Sequence, residues 1–250
     1  MIDPSLITIS LILISLVAGL IHSAIGFGFG IVAIALLPIV IDAKSAHIIV
    51  SVRSVPMLIM AAWTYRSGAQ KNPLLISTFG ACIALPAGVY LFEVISLDLL
   101  VRLTGLGVLM MVISSSKPLK IRQTNSTNAT HYAPCLSAGI ISGFLAGAVS
   151  IAGPPIAAFA IRQNWRANQY KAFMAQFLLV IASFKAGLLG LRDHVNLEIG
   201  YEILIASIFS MIGVRMGEKV SRNLDADKLK HLVAAVLIAV AVFMMLRGNA

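Results

Sequence analysis

The sequence predicts an all-α membrane protein of about ten transmembrane segments, built as two inverted five-segment repeats with short broken hairpins at the centre. Three observations carry that expectation. The 250 residues are 59% hydrophobic and only 12% charged, with a mean hydropathy of +0.94, whereas ordinary soluble domains are about 25% charged. Apolar stretches follow one another with almost nothing left over for a soluble domain. And two glycine-rich segments, Gly19 to Gly30 and Gly143 to Pro155, stand at matching points of the two halves, 124 residues apart.

The first repeat, 1–115, holds stretches at roughly 5–22, 26–41, 45–66, 74–92 and 99–115, by window hydropathy. Its amino terminus, Met1 to Ser5, has no basic residue ahead of the apolar run. A cleaved signal peptide needs a positive leading region, so the first stretch reads as a permanent helix. The polar linker 116–132 follows, and the second repeat, 133–250, holds stretches at roughly 133–149, 154–163, 168–190, 199–217 and 229–247. Ser15, Gly19 and Ser23 fall four apart, as do Gly139, Gly143 and Gly147, and small residues along one helical face let backbones approach closely in lipid. Ala84 and Gly88 answer Gly213 and Gly217 at an offset of 129. A repeat with an odd number of crossings must sit upside down relative to its partner.

Charge sets the orientation. With ten crossings and both termini outside, the inner loops carry thirteen basic residues and the outer ones four, Lys44, Arg102, Arg192 and Arg247. Eight crossings would divide them without useful bias, so the positive-inside rule favours ten. The formal net charge of +9 is then a topology signal, and nucleic acid is not expected as a partner. Cys82 and Cys135 lie in apolar stretches without a CxxC spacing or clustered histidines, so neither a disulfide framework nor a metal or other cofactor is expected.

Length places the glycine segments. Residues 5–41 must go in and come back with about 18 residues per pass, and 133–163 with about 15, against the ~20 of a full crossing. The tips, 23–30 and 147–155, are therefore expected to dip below the surface from opposite sides and line a cavity, since non-helical backbone at depth is tolerated only where protein buries it or water reaches it. Gly26, Gly28 and Gly30 permit conformations that leave amides free to face a ligand, and Pro154 suits the first turn of a helix whose N–H groups favour an anion. Ser150 and Gly153 belong to the second tip.

Polar residues at depth add to this. Arg53 lies eight residues into its stretch, about 12 Å down at 1.5 Å per residue, where an ionisable side chain marks a functional site by default. Gln176 is its near counterpart in the other half, and the two are expected to converge on an oxyanion. Lys185, close to the end of its stretch, is expected to snorkel outward. His22 and His47 are candidate proton carriers. The anion-binding set is thus Gly26, Gly28, Gly30, Arg53, Ser150, Gly153, Pro154 and Gln176. No Asp or Glu falls near the middle of any stretch, which argues against an acidic proton relay. An intramembrane serine enzyme built on Ser150 would need a base, and no histidine lies within an evident helical stretch of the second half, His194 falling in a loop and His231 near a helix end; a non-transporting membrane subunit is the other alternative.

Two halves, each opening with an apolar helix, a tip of spaced small residues ending in Gly30 or in Gly153, Pro154 and Pro155, and a short second helix, resemble the sulfite exporter TauE/SafE family over essentially the whole chain. In the tips, Phe27 and Phe29 separate the glycines of the first, and Ser150 and Ala152 stand where the second would carry glycine. The resemblance implies a prokaryotic inner-membrane permease, resident in the lipid bilayer, for small anions such as sulfite, organosulfonates or carboxylates.

Overall fold

The computed structural model describes residues 4–116, 132–163, 165–191 and 197–223, with helical positions at 238, 242, 245 and 246. Among the described residues the chain is all helical: α1 (Pro4–Ile25), α2 (Phe29–Leu36), α3 (Ala43–Thr64), α4 (Lys71–Val94), α5 (Leu97–Ser116), α6 (Tyr132–Val149), α7 (Gly153–Ile161), α8 (Ala167–Gly190) and α9 (Leu197–Asn223). Short 3-10 turns at Leu37–Ile39 and Arg66–Gly68 follow α2 and α3. Four helices, α3, α4, α6 and α8, are long and apolar enough to cross a membrane, and 7–23, 29–39 and 204–217 are shorter apolar helical segments. The linker residues 117–131 and nearly all of the tenth stretch lie outside the described residues.

Local signals explain where the helices begin and break. Asp42 caps α3, its carboxylate accepting the Ser45 N–H at 2.9 Å, which satisfies an amide that the first turn leaves open. At its other end α1 stops where Gly26 turns to φ +88°, its N–H donating to His22 O at 2.7 Å. α6 stops the same way at Ser150, φ +56°, whose N–H donates to Ala146 O at 3.1 Å. Positions 26 and 150, 124 residues apart, thus hold the same left-handed C-terminal cap. Helix α7 opens with Gly153, Pro154 and Pro155 in its first turn, where a missing N–H costs nothing.

Packing crosses between the halves reciprocally. α1 lies along α9, α6 lies along α4, and α3 and α8 pack against each other. Small residues make the two long pairings possible. A side chain on Gly19 would collide with the Ser210 carbonyl, one on Gly213 with Leu16 and one on Gly217 with Leu20; across the other pairing Gly143 meets Ala81, and Gly88 meets Phe144. The contacts correspond residue for residue: Leu20 and Phe144 are 124 apart, while Gly88 and Gly217, or Ala81 and Ser210, are 129 apart.

Large apolar side chains go to the outside instead. Leu75, Phe79 and Ile83 on α4 and Leu204, Ile208 and Ile212 on α9 are each at least two-fifths exposed and recur every four residues, one stripe per helix. Water would penalise such stripes, and lipid would not. The interior between these layers holds α2, α3, α7 and α8, and there the two tips meet: a Cβ on Gly30 would lie only 3.0 Å from Ser150 O, and one on Gly153 only 2.7 Å from the Phe27 ring.

Candidate functional site

Where the tips meet, a cavity of about 80 Å³ opens between α3 and α8. Gly28 and Gly30 from the first tip and Ser150 and Gly153 from the second line it, with His22 from α1, Ser51 and Ser54 from α3, and Lys185 from α8. That is room for a few waters or a small oxyanion, far below the ~300–1,000 Å³ of pockets for larger organic ligands. Among the described residues no carboxylate lines it.

Lys185 is the cavity's cation. It is 3% exposed, so the expectation that it snorkels fails: the side chain turns inward, its Nζ donating to Ala146 O at 2.8 Å and to Ser150 Oγ at 2.5 Å. Both partners are neutral. Phe92 presents its ring 5.6 Å from the same nitrogen, which contributes weakly as a cation–π contact. Depth along the helix is a poor guide to direction here. Lys185 follows Leu178, Ile181 and Ala182, which also line the cavity, at helical spacings of seven, four and three that put all four on one face.

Behind Ser150 the hydrogen bonds have one consistent direction, which follows from the count of donors. Thr104 Oγ1 donates to Leu100 O at 2.7 Å, so it can only accept from His47 Nε2, 3.3 Å away. In a neutral imidazole His47 Nδ1 is then the acceptor and takes the Ser150 hydroxyl at 3.1 Å, leaving the Ser150 oxygen to receive Lys185. A histidine therefore does reach Ser150, and it comes from the first half. Sequence separation hides it, the two residues being 103 positions apart.

Ser150 stands in left-handed backbone at φ +56°, which costs a non-glycine residue about 1–2 kcal/mol. Glycine holds the equivalent place in the first tip. The serine supplies a hydroxyl that bridges Lys185 and His47. Comparing two variants separates the effects: Ser150→Ala loses the hydroxyl and keeps the strain, Ser150→Gly loses both. The glycine protein is expected to be the more stable of the two by about 1 kcal/mol, read as a higher melting temperature in detergent; equal melting points would mean the backbone there carries no strain.

The remaining expected residues lie elsewhere. Gly26 lines a second, smaller cavity, which His22 also touches. Arg53, Pro154, Gln176 and His47 are not among the residues lining the central cavity, so Arg53 and Gln176 do not converge there. Arg53 is wholly buried, behind the cavity-lining Phe29. Its Nη1 donates to Ser15 Oγ at 3.0 Å, its carbonyl accepts the Ser207 hydroxyl at 3.3 Å, and its guanidinium lies 5.3 Å from the Phe29 ring centre. Its Nε and Nη2 have no hydrogen-bond partner among the described residues, nor does Gln176 Oε1.

A buried guanidinium so poorly matched is a burden on folding. Replacing buried ionic groups by apolar ones of similar size often gains about 1–4 kcal/mol. Arg53→Met is accordingly expected to melt higher than the parent; a lower melting point would show that the Ser15 contact holds α1 and α3 together.

The family model for the sulfite exporter TauE/SafE matches residues 11–244, nearly the whole chain and both tips. No curated protein and no solved structure matches it.

Proposed function

We propose, because the chain belongs to the sulfite exporter TauE/SafE family of membrane transporters, that it moves a small sulfur oxyanion such as sulfite or a short sulfonate across the membrane, bound in the central cavity. The observation that carries this reading is Lys185: a buried amino group with neutral partners, facing a half-open space of oxyanion size with no carboxylate among its described lining residues. An anion there supplies the missing counter-charge, and a desolvated charge pair is worth far more than an exposed one. Ser51 and Ser54 also line the wall, their hydroxyls donating to His47 O at 2.7 Å and to Ser51 O at 3.0 Å, and the first turns of α2 and α7 line the same space, where helix N-termini favour an anion.

Two inverted repeats, 1–115 and 133–250 joined by 116–132, supply the two-state framework for alternating access. The reciprocal pairing of α1 with α9 and of α6 with α4 supports that division. With both termini outside a prokaryotic inner membrane, the cell's negative interior drives an anion outward by about 2.3 kcal/mol per charge per 100 mV, so export needs no coupling ion.

The contact of Ser150 with His47 is the observation that favours an enzyme instead. We assign it to holding Lys185, in keeping with a transporter family. Purified protein in liposomes decides between these readings. Labelled sulfite is expected to cross faster than in empty vesicles, and a serine-reactive fluorophosphonate is expected to leave Ser150 unmodified. Absent flux sinks the transporter, and stoichiometric labelling of Ser150 establishes the enzyme.

A further inference from the structure

The two tips share a cap, but the space beside each is used differently. Next to Ser150, the amino group of Lys185 fills the gap and bonds to Ala146 O. Residue 146 answers to His22 at the offset of 124, and beside His22 no such plug exists among the described residues. There the second cavity opens, lined by His22, Ser23, Gly26, Ala61, Tyr65 and Lys171 among others. His22 is the residue that lines both cavities.

The walls of the second cavity carry polar atoms without partners. His22 Nδ1 and Ser23 Oγ are buried without a hydrogen-bond partner among the described residues, in side chains 4% and 5% exposed. Lys171 Nζ lies 5.4 Å from the centre of the Tyr65 ring, and among the described residues no carboxylate lines the space. Beyond Lys171 the same end of the molecule carries Arg66, Lys71, Arg162 and Arg166, all exposed, and the segments 65–71 and 161–171 contain no acidic residue. The two segments are joined, Asn168 Nδ2 donating to Ser67 Oγ at 3.2 Å. A surface of one sign leading into a low-dielectric cleft concentrates counter-ions at its mouth.

We propose that the second cavity is a capture station for the transported anion: a small oxyanion arrives through the basic end, binds Lys171, His22 and the Ser23 hydroxyl, and passes His22 to reach Lys185. The station is nearly closed in this state, its volume being about 10 Å³. The half-buried side chains of Tyr65 and Lys171 at its mouth are what the incoming anion displaces. The proposal rests on the transporter reading and adds a second site, on one side only of the central one.

A cysteine placed in the station tests it. In a Cys82→Ser, Cys135→Ser background, Ala61→Cys is treated with the sulfonate reagent 2-sulfonatoethyl methanethiosulfonate and, for comparison, with neutral methyl methanethiosulfonate. Ala175→Cys, which lines the same cavity from α8, serves if the first variant misfolds. The sulfonate reagent is expected to react disproportionately fast, Lys171→Gln to lower the ratio of the two rates several-fold, and sulfite to protect the cysteine. An unchanged ratio in Lys171→Gln overturns the station. So does sulfite that raises the melting temperature of the protein without protecting the cysteine, and in that case the transporter reading stands. Absence of any sulfite flux or thermal shift removes both.

Discussion

Lys185→Met is expected to abolish sulfite transport while leaving a protein that folds and melts no lower than the parent. The ammonium sits in the interior with a backbone carbonyl and a hydroxyl for company, so methionine, close in shape and without charge, relieves desolvation rather than adding to it. What it takes away is the one cation lining the central cavity among the described residues. Truncating one partner of a buried, hydrogen-bonded charge pair costs about 2–5 kcal/mol, or roughly 30- to several-thousand-fold in affinity at about 1.4 kcal/mol per factor of ten. The check is a thermal-shift titration beside flux: sulfite should raise the parent's melting temperature, as any ligand of the folded state does, and leave the variant's unmoved. A variant that still binds sulfite like the parent would move the site away from Lys185.

Gly143→Leu is expected to prevent assembly altogether. A side chain at 143 would project into the backbone of Ala81, touching its Cα, carbonyl carbon and oxygen at once, and Ala81 is itself wholly buried. Backbone cannot step aside as a flexible side chain can, so α6 and α4 must part along their length. Overpacking costs about 1–3 kcal/mol where a core can adjust, and a leucine between two helix backbones in contact exceeds that range. Gly187→Leu is the control, since a Cβ there meets nothing within 4 Å. In size-exclusion profiles of detergent extracts, the first variant should run as aggregate and the second as the parent. A monodisperse Gly143→Leu would mean that this pairing is not the one that holds the molecule together.

How much of this is legible in the chain divides along a physical line. Period and spacing report helical faces and equivalences between halves. The offset of 124 pairs the left-handed caps at Gly26 and Ser150, and the small residues at four-residue spacing mark the two backbone contacts. Direction around a helix deep in a bundle depends instead on what stands opposite. For Arg53 and Lys185 the sequence offers only depth, and depth does not say which way a side chain turns: Lys185 faces the cavity, while Arg53 faces Ser15 and Phe29. The approach of His47 to Ser150 is set by three elements meeting, α3, α5 and the second tip, and no local pattern in any one of them announces it.

The reciprocal laying of α1 on α9 and of α6 on α4 also bears on how the molecule is made. During synthesis the earliest helix reaches the bilayer with Gly19 bare and waits for Ser210, nearly two hundred residues later, before that surface is covered. A gene cut in the linker should therefore yield two fragments that are each degraded when made alone and that rescue one another when made together, every fragment lending the other the wall it lacks.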